Sequence, residues 1–325
     1  MNKEQGLFYS NDEFKTRTEI RRKLLAEELT TPLHRTTPAP VRTFAEWQPI
    51  INQRQQEYRE IMGVPETVHI EIATEKPILL VPIGDVHAEH PETNLERFGK
   101  DIDLAKSVNA YFLTLGDLTN SIFWKAEPSL VTSRESTMYI QSALREMAEN
   151  GHLLASWLGD HDGWAYDKHG SHTLYADYWE KFHAHLLDGV SYIDIALNDG
   201  DSVRKYAIIG SHRHKGFSVY NDAHASWRQQ LDEANTSRDI ISITAHKHTK
   251  AYLTQTRKAF GGDERLIHAL SLGTNKESDR YSRKHGWPRK GEETASAFGI
   301  VLHPGKDQVN VFWNLEQAVD FMATC

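Results

Sequence analysis

Hydrophobic and polar positions divide the chain into an amphipathic N-terminal part and a strand-rich remainder. Apolar side chains recur at helical spacing over residues 13–29 and again over residues 43–62. Beyond residue 75 the pattern changes to short apolar runs that are bounded by glycine and aspartate. We therefore predict a helical extension over residues 1–75 and a globular domain over residues 76–325.

The globular part is predicted to begin with alternating strands and helices. This order is typical of parallel strands joined by right-handed crossovers, and hence of the α/β class. The later strands have fewer helices between them, which indicates a second, mixed sheet. The predicted strands are 77–85, 110–117, 152–160, 204–210, 239–245, 267–272, 297–302 and 308–313. The predicted helices are 92–107, 134–149, 171–187 and 222–235.

Composition narrows the class of protein and its compartment. With 325 residues, 39% hydrophobic and 25% charged, the chain can form a globular core. The net charge of −8 excludes a positive field over the whole molecule, so an anion site has to be local. Cys325 is the only cysteine, which excludes an intrachain disulfide and a thiolate metal site. Without a signal pattern or an apolar run long enough to span a membrane, we expect a cytoplasmic protein with no membrane partner.

Acids and histidines stand at the carboxyl ends of five predicted strands. Open α/β sheets bind ligands at this edge, so we expect the side chains to converge. Carboxylate oxygens and imidazole nitrogens suit Mn²⁺, Fe or Zn²⁺. The alternatives are buried structural histidines or one structural zinc site. The residues are Asp85 and His87; Asp117 and Asn120; Asp160, His161 and Asp162; His212 and His214; and His246 and His248.

Asp85 with His87 and His246 with His248 are pairs with i, i+2 spacing. In an extended backbone, Asp85 and His87 would point to the same side of the chain, and so would His246 and His248. Each pair is therefore expected to reach a common centre, and there are enough acids and imidazoles for two ions.

The ordered motifs D-x-H, G-D-x-x-N, G-D-H-D, H and A-H-x-H resemble those of the calcineurin-like metallophosphoesterases. The resemblance covers about residues 78–250 and implies a two-sheet β-sandwich flanked by helices. It also implies hydrolysis of phosphate esters by a hydroxide that bridges two divalent ions. Mn²⁺ is the favoured metal, with Fe, Zn²⁺ or Ni²⁺ as alternatives. The implied ligands are Asp85, His87 and His248 for one ion, Asp160, His212 and His246 for the other, and Asp117 for both.

The resemblance implies roles for residues beside the metals as well. His161 would contact the substrate and protonate the leaving oxygen, and Asp162 could orient or charge its ring. Asn120 is expected beside the substrate, where it would prop Asp117 or its loop. For the fourth motif, spacing leaves His214 open as an alternative ligand to His212. Seven predicted ligands exceed the four that close a structural zinc site, which favours catalysis.

The sequence departs from the family pattern at two positions. Asp160 stands where the family has asparagine, so the cluster gains a negative charge and is expected to bind metal more tightly. Asp160→Asn is accordingly expected to retain activity with a lower pH optimum. Ala245 replaces a glycine, which affects only the local backbone.

A basic segment follows the metal motifs and bears on the substrate. Residues 275–290 contain six Lys or Arg and two Asp or Glu. Although charged runs are usually solvated surface, we predict that Lys276, Arg280 and Arg283 contact substrate phosphates, as Lys250 and its neighbours would. This favours a phosphodiesterase or nuclease acting on DNA, RNA or nucleotides. A phosphomonoesterase is the alternative, and a non-catalytic binding module is less favoured. The helical extension could mediate self-association.

Overall fold

The structure is a computed structural model in which the chain forms two compact units. In the first unit, Met1–Pro65, the described element is helix α1 (Phe44–Met62). The helix confirms the prediction over residues 43–62. Glu66–Cys325 forms the second compact unit. The predicted helix at 13–29 lies outside the described residues. These are residues 43–62, 67–120, 132–162, 184–216, 218, 220–232, 239–258, 264–278, 283–284, 286 and 289–325.

The second unit contains two six-stranded sheets with helices packed beside them. Its strands are β1 (Thr67–Ala73), β2 (Ile78–Ile83), β3 (Tyr111–Leu115), β4 (Leu153–Trp157), β5 (His185–Leu187), β6 (Ser191–Asn198), β7 (Val203–Ser211), β8 (Ile240–Thr244), β9 (Ala251–Lys258), β10 (Glu264–Ser271), β11 (Gly299–Leu302) and β12 (Val309–Phe312). Its helices are α2 (Leu95–Ser107), α3 (Ser133–Glu149), α4 (His224–Asp232), α5 (Glu292–Ala295) and α6 (Leu315–Met322).

The strand order confirms the predicted two-sheet sandwich. Sheet I has the order β1-β6-β7-β8-β10-β9 and mixes parallel with antiparallel pairs. Sheet II has the order β12-β11-β2-β3-β4-β5, in which β2 to β5 are parallel. As a result, the carboxyl ends of β2, β3 and β4 lie at one edge of sheet II.

Alternating side chains of β2 explain how the layers pack. Leu80 points into the core between the two sheets, where it joins Trp157 and Ile208. Leu79 and Val81 point to the opposite face, which α2, α3 and α6 cover. Every position of β2 is buried, and each large apolar side chain contributes roughly 1.5–3 kcal/mol when it leaves water. This burial fixes the strand that leads to Asp85.

Sequence analysis missed three strands and misassigned part of a fourth. β1 and β6 alternate buried with more exposed side chains, as strands with one exposed face do, and β9 is polar after its first three residues; none of the three was predicted as a strand. The predicted helix 171–187 is wrong at its end, because residues 185–187 pair with β4 as β5. Its residues 171–183 lie outside the described residues.

The predicted boundary at residue 75 falls just after β1, which pairs with β6 in sheet I. Residues 67–73 therefore belong with the sandwich, and the helical extension over the remaining residues stays a prediction. In the described part of the chain, no helix has the length and apolar character needed to cross a membrane.

Candidate metal centre

The residues that follow the central strands adopt left-handed backbone conformations. The φ angles are 51° at Asp85, 54° at His87, 52° at Asp117, 69° at His246 and 56° at His248. Such a conformation costs a non-glycine residue roughly 1–2 kcal/mol. The extended backbone predicted for the two i, i+2 pairs is wrong, because each strand ends before its pair begins.

Hydrogen bonds between loops hold this backbone in place. The amide of Asp85 donates to the carbonyl of Gly116 over 3.0 Å, and that of His87 donates to the carbonyl of Asp117 over 3.1 Å. The amide of His246 donates to Oδ2 of Asp85 over 2.6 Å. The loops after β2, β3 and β8 therefore constrain one another, and strained backbone held in this way is typical of functional sites.

The structure brings Asp85, His87 and His248, which the resemblance assigns to one ion, together in a first cluster. Oδ1 of Asp85 lies 3.7 Å from Nε2 of His87 and 3.4 Å from Nε2 of His248. The two imidazole nitrogens are 3.0 Å apart. Oδ1 of Asp85 is buried and has no hydrogen-bond partner among the described residues. Three convergent donor atoms, one of them buried and unsatisfied, fit a bound cation.

The protonation states of this cluster also suit a metal. Burial would raise the pKa of Asp85, but the imidazoles of His248 and His87 lower it well below its usual range. The pKa of His248 is lowered to about 4, chiefly by burial. Near neutral pH the carboxylate is thus ionised and His248 is neutral, which are the forms that bind metal.

The second cluster combines Asp117, His212 and His246, with Asp160 beside them. Nε2 of His212 lies 3.2 Å from Oδ2 of Asp117, and Nδ1 of His246 lies 3.4 Å from Oδ2 of Asp160. Nδ1 of His212 donates to the carbonyl of Leu115 over 2.6 Å, which turns Nε2 toward the centre. That Nε2 atom is buried without a hydrogen-bond partner in the part of the chain that the structure describes. The donor set again fits a divalent ion.

Carboxylates create a negative potential at this cluster. Burial would lower the pKa of His212, but the neighbouring carboxylates of Asp117 and Asp85 raise it to about 10. Burial would likewise raise the pKa of Asp117, and the contact with His212 lowers it. Both directions show that the site favours positive charge.

Asp117 lies between the two clusters. Its carboxylate groups with His212 and His246 on one side and with His87 and His161 on the other. Oδ1 also accepts a hydrogen bond from the amide of His161 over 2.8 Å. This is the position expected of the residue predicted to serve both ions.

Two glycines allow the loops after β3 and β4 to approach each other closely. A Cβ atom on Gly159 would collide with the carboxylate and the amide of Asp117. Gly116 has a φ of 78°, and a Cβ atom there would collide with the backbone of Gly159. Gly116 is therefore required by contact and by its backbone conformation, and Gly159 is required by contact.

His161 lies at the mouth of the site, and Asn120 orients it. Nδ1 of His161 donates to the carbonyl of Asn120, and Nε2 lies 3.8 Å from Oδ2 of Asp117. Burial lowers the pKa of His161. The side chain of Asn120 contacts Nδ1 of His87 over 2.7 Å and so supports His87, a contact that the predicted role of propping Asp117 or its loop did not include.

Asp162 holds two loops together. Its Oδ2 accepts hydrogen bonds from the amides of Gly159 over 2.8 Å and Asp117 over 3.1 Å. Burial and the neighbouring charge of Asp117 raise the pKa of Asp162 to about 6. Sequence analysis expected Asp162 to act on the ring of His161 and did not predict this contact with the backbone.

Sequence analysis missed Arg213 altogether. Its Nη1 lies 3.3 Å from Oδ2 of Asp160. The positive charge offsets the extra negative charge that Asp160 brings, which the charge count from the sequence ignored. The contact joins residues 53 positions apart in the chain, and no sequence signal could have revealed it.

The basic segment is only partly available to a substrate. Lys276 is half-buried, and its charge adds to burial in lowering the pKa of His161 and His248. Arg283 pairs with Glu92, with Nη1 and Oε1 2.5 Å apart. Arg280 lies outside the described residues.

Lys250 was expected to add to this positive surface, and that expectation is wrong. Its side chain is buried, and Nζ donates to the carbonyl of Ser296 over 2.8 Å and to its hydroxyl over 2.7 Å. The rings of Phe298 and Trp313 lie 4.7 and 5.0 Å from the ammonium. Lys250 therefore stabilises the fold beneath the site.

Comparisons with known proteins give likeness in fold. No family model and no curated protein matches the chain. Among solved structures, the chain is similar to YfcE, a phosphoesterase from E. coli, at 15% identity and a TM-score of 0.36, covering 72% of this chain and 98% of that one. It is also similar to the calcineurin-like phosphoesterase YfkN from Bacillus subtilis, at 10% identity and a TM-score of 0.38, covering 77% of this chain and 96% of that one.

Proposed function

We propose that this protein hydrolyses phosphate esters with the help of divalent metal ions. The observation that carries the proposal is the convergence of acids and imidazoles from five separate strand ends into contiguous clusters. Two buried atoms that could bind a metal, Oδ1 of Asp85 and Nε2 of His212, have no hydrogen-bond partner among the described residues. Such a centre is costly to fold and useful only when it receives a cation.

In the proposed assignment, each ion has three ligands of its own and shares Asp117. Bound divalent ions lower the pKa of water and neutralise phosphoryl oxygens, which supplies the nucleophile and stabilises the charge of the transition state. Mn²⁺ is the favoured ion, and Fe, Zn²⁺ or Ni²⁺ would suit the same donors. The assigned ligands are Asp85, His87 and His248 for one ion and Asp160, His212 and His246 for the other.

We assign proton transfer to His161. The carbonyl of Asn120 can only accept a hydrogen bond, so it fixes the proton on Nδ1 and leaves Nε2 to exchange a proton with the substrate. The ring is 16% exposed, which is enough for contact with a leaving group. Asp162 acts as a positioning residue through the amides of Gly159 and Asp117.

For the substrate, we propose a phosphodiester of a nucleotide or nucleic acid. The support is positive charge near the centre, at Lys276 and Arg213. A phosphomonoester remains the alternative substrate, because the metal ligands serve either reaction. Hydrolysis of an aryl phosphodiester and an aryl phosphomonoester under the same conditions distinguishes the two by their kcat/KM.

The test of the proposed function is metal-dependent turnover in the full chain and in Asp117→Asn. We expect hydrolysis that a chelator abolishes and that Mn²⁺ restores. Asp117→Asn should lose metal and at least about a hundredfold in kcat/KM. Turnover that persists in metal-depleted Asp117→Asn would overturn the mechanism. A wild-type protein that binds metal but hydrolyses neither ester would support the binding-module alternative.

A further inference from the structure

Arg213 is an exposed cation beside the candidate metal centre. It directly follows His212 at the end of β7, and its side chain is 64% exposed. Its partner Asp160 comes from the loop after β4 in the other sheet. The guanidinium therefore lies where the ends of the two sheets meet, next to a predicted metal ligand.

The backbone that carries Arg213 is fixed on both sides. The carbonyl of His212 accepts a hydrogen bond from the amide of Ala245 over 3.0 Å. Three residues after Arg213, the carbonyl of Gly216 accepts a hydrogen bond from Nζ of Lys247 over 2.9 Å. The long side chain of Arg213 thus extends toward solvent from an anchored backbone. Less conformational entropy is therefore lost when the residue becomes ordered around a ligand.

Two arginines of the basic segment form shorter ion pairs than Arg213 does. Arg283 lies 2.5 Å from Glu92, and Arg289 lies 2.6 Å from Glu277. In the described part of the chain, Arg213 has one 3.3 Å ion pair through one nitrogen. A guanidinium has five N–H donors, so most of its hydrogen-bonding capacity remains for a ligand.

We propose that Arg213 binds the non-reacting oxygens of the substrate's phosphate group, a role that rests on the proposed hydrolase function. The planar fork of a guanidinium matches phosphate oxygens and forms strong charge-assisted hydrogen bonds with them. As long as the carboxylate of Asp160 binds no other cation, its ion pair with Arg213 keeps the guanidinium beside the candidate metal centre. If Asp160 held a divalent ion, that ion would compete for the carboxylate and the guanidinium would be left to bind the phosphate.

The experiment measures binding of inorganic phosphate to the Mn²⁺-loaded full chain by isothermal titration calorimetry. Arg213→Gln should weaken phosphate binding about tenfold, as expected when a hydrogen bond to a charged group is lost. Arg213→Lys should lie between Arg213→Gln and the wild type. The matched control is Arg145→Gln, because Arg145 is 65% exposed and pairs with Glu149 on α3. This variant should bind phosphate like the wild type.

A parallel Mn²⁺ titration separates phosphate binding from support of Asp160. If Arg213 acts on phosphate, Arg213→Gln should bind Mn²⁺ as tightly as the wild type or more tightly, since a positive charge has gone. A loss of Mn²⁺ affinity that accounts for the weaker phosphate binding would overturn the proposal. Phosphate affinity unchanged in Arg213→Gln would also overturn it, as would a wild type that binds no phosphate.

Hydrolysis is measured separately, so the two proposals can fail independently. A wild type that hydrolyses aryl phosphates while Arg213→Gln binds phosphate normally refutes only the role of Arg213. A wild type that binds phosphate through Arg213 but hydrolyses neither aryl phosphate would refute only the proposed hydrolase function.

Discussion

Two clusters of charged residues in this protein differ in how their carboxylate oxygens are hydrogen-bonded. In the Arg97 network, formed by Arg97, Asp101 and Glu316, every carboxylate oxygen has a donor. Arg97 binds Glu316 through two nitrogens at 2.8 Å each and Asp101 at 2.5 Å, and the amide of Ala297 donates to Asp101. In the metal centre, Oδ1 of Asp85 has no hydrogen-bond partner among the described residues.

The backbones of the two clusters differ in the same sense. Arg97 and Asp101 lie one turn apart on α2, and Glu316 lies in the first turn of α6. The ligands of the metal centre lie in loops, several of them at positive φ. The network therefore has the construction of a stabilising contact, whereas the candidate metal centre has the strained backbone and unsatisfied donor atom expected of a cation site.

The largest expected effect on stability comes from the Arg97 network. Arg97→Met leaves the buried carboxylate of Asp101 without its cation and should lower the free energy of unfolding by about 3–5 kcal/mol. Chemical denaturation measures this loss. Arg97→Met combined with Asp101→Asn should lose less, because no buried charge is then left unpaired. If Arg97→Met abolished metal binding in the folded protein, the two clusters would not be separate.

The next effect tests the close packing of the metal centre. Gly159→Ala introduces a Cβ atom against Asp117 and should lower the free energy of unfolding by about 1–3 kcal/mol, as overpacking does. It should also reduce kcat/KM about tenfold or more by displacing that carboxylate. The control is Gly305→Ala, whose added methyl group meets only ordinary contacts. Equal behaviour of the two variants would show that the centre tolerates displacement.

A smaller effect, which depends on pH, comes from Glu316. Hydrogen bonds from Arg97 chiefly lower its pKa from 4.5 to about 2, so its stabilising effect is complete above pH 4.5 and is lost as the pH falls toward 2. Allowing for a side chain that is one-third exposed, Glu316→Gln should cost about 1–2 kcal/mol at pH 7. Urea denaturation at several pH values measures the difference.

The control for Glu316 is Glu146→Gln, which removes an exposed pair with Lys106 and should change stability by less than about 0.5 kcal/mol. A difference between Glu316→Gln and the wild type that stayed constant down to pH 2.5 would contradict the role assigned to the Arg97 network.

The smallest expected effect is the change in Mn²⁺ affinity caused by His214→Asn. Comparison with His212→Asn decides which of the two histidines is the ligand. The structure brings His212 to Asp117, so His214→Asn should leave Mn²⁺ affinity within about twofold of the wild type. His212→Asn, which removes a ligand, should weaken it by more than the 10–100-fold typical of residues that support ligands. If His214→Asn weakened Mn²⁺ binding more than His212→Asn did, His214 would be the ligand in the fourth motif.

The clustering of residues at the candidate metal centre was predictable from the sequence because parallel strands bring their carboxyl ends to one edge. Asp85, Asp117 and Asp160 each follow a buried apolar run, and the runs determine the strands. Their left-handed backbone was not predictable, since it depends on contacts between loops that are distant in sequence.

Positions that depend on tertiary contacts escaped prediction for the same reason. Arg213 and Lys250 look alike in the sequence as basic residues beside motif histidines. One is exposed next to Asp160, and the other is buried beneath Phe298 and Trp313. Strand β1 was missed because its polar residues alternate with apolar ones, as in an edge strand. Its partner β6 lies more than a hundred residues away in the chain.

Anomalous X-ray scattering from crystals grown with Mn²⁺ tests the central claim most directly. The account predicts two peaks at this edge of the sheets, one beside Asp85, His87 and His248 and the other beside His212 and His246, with Asp117 reaching both. Peaks elsewhere, or none at saturating Mn²⁺, would contradict it.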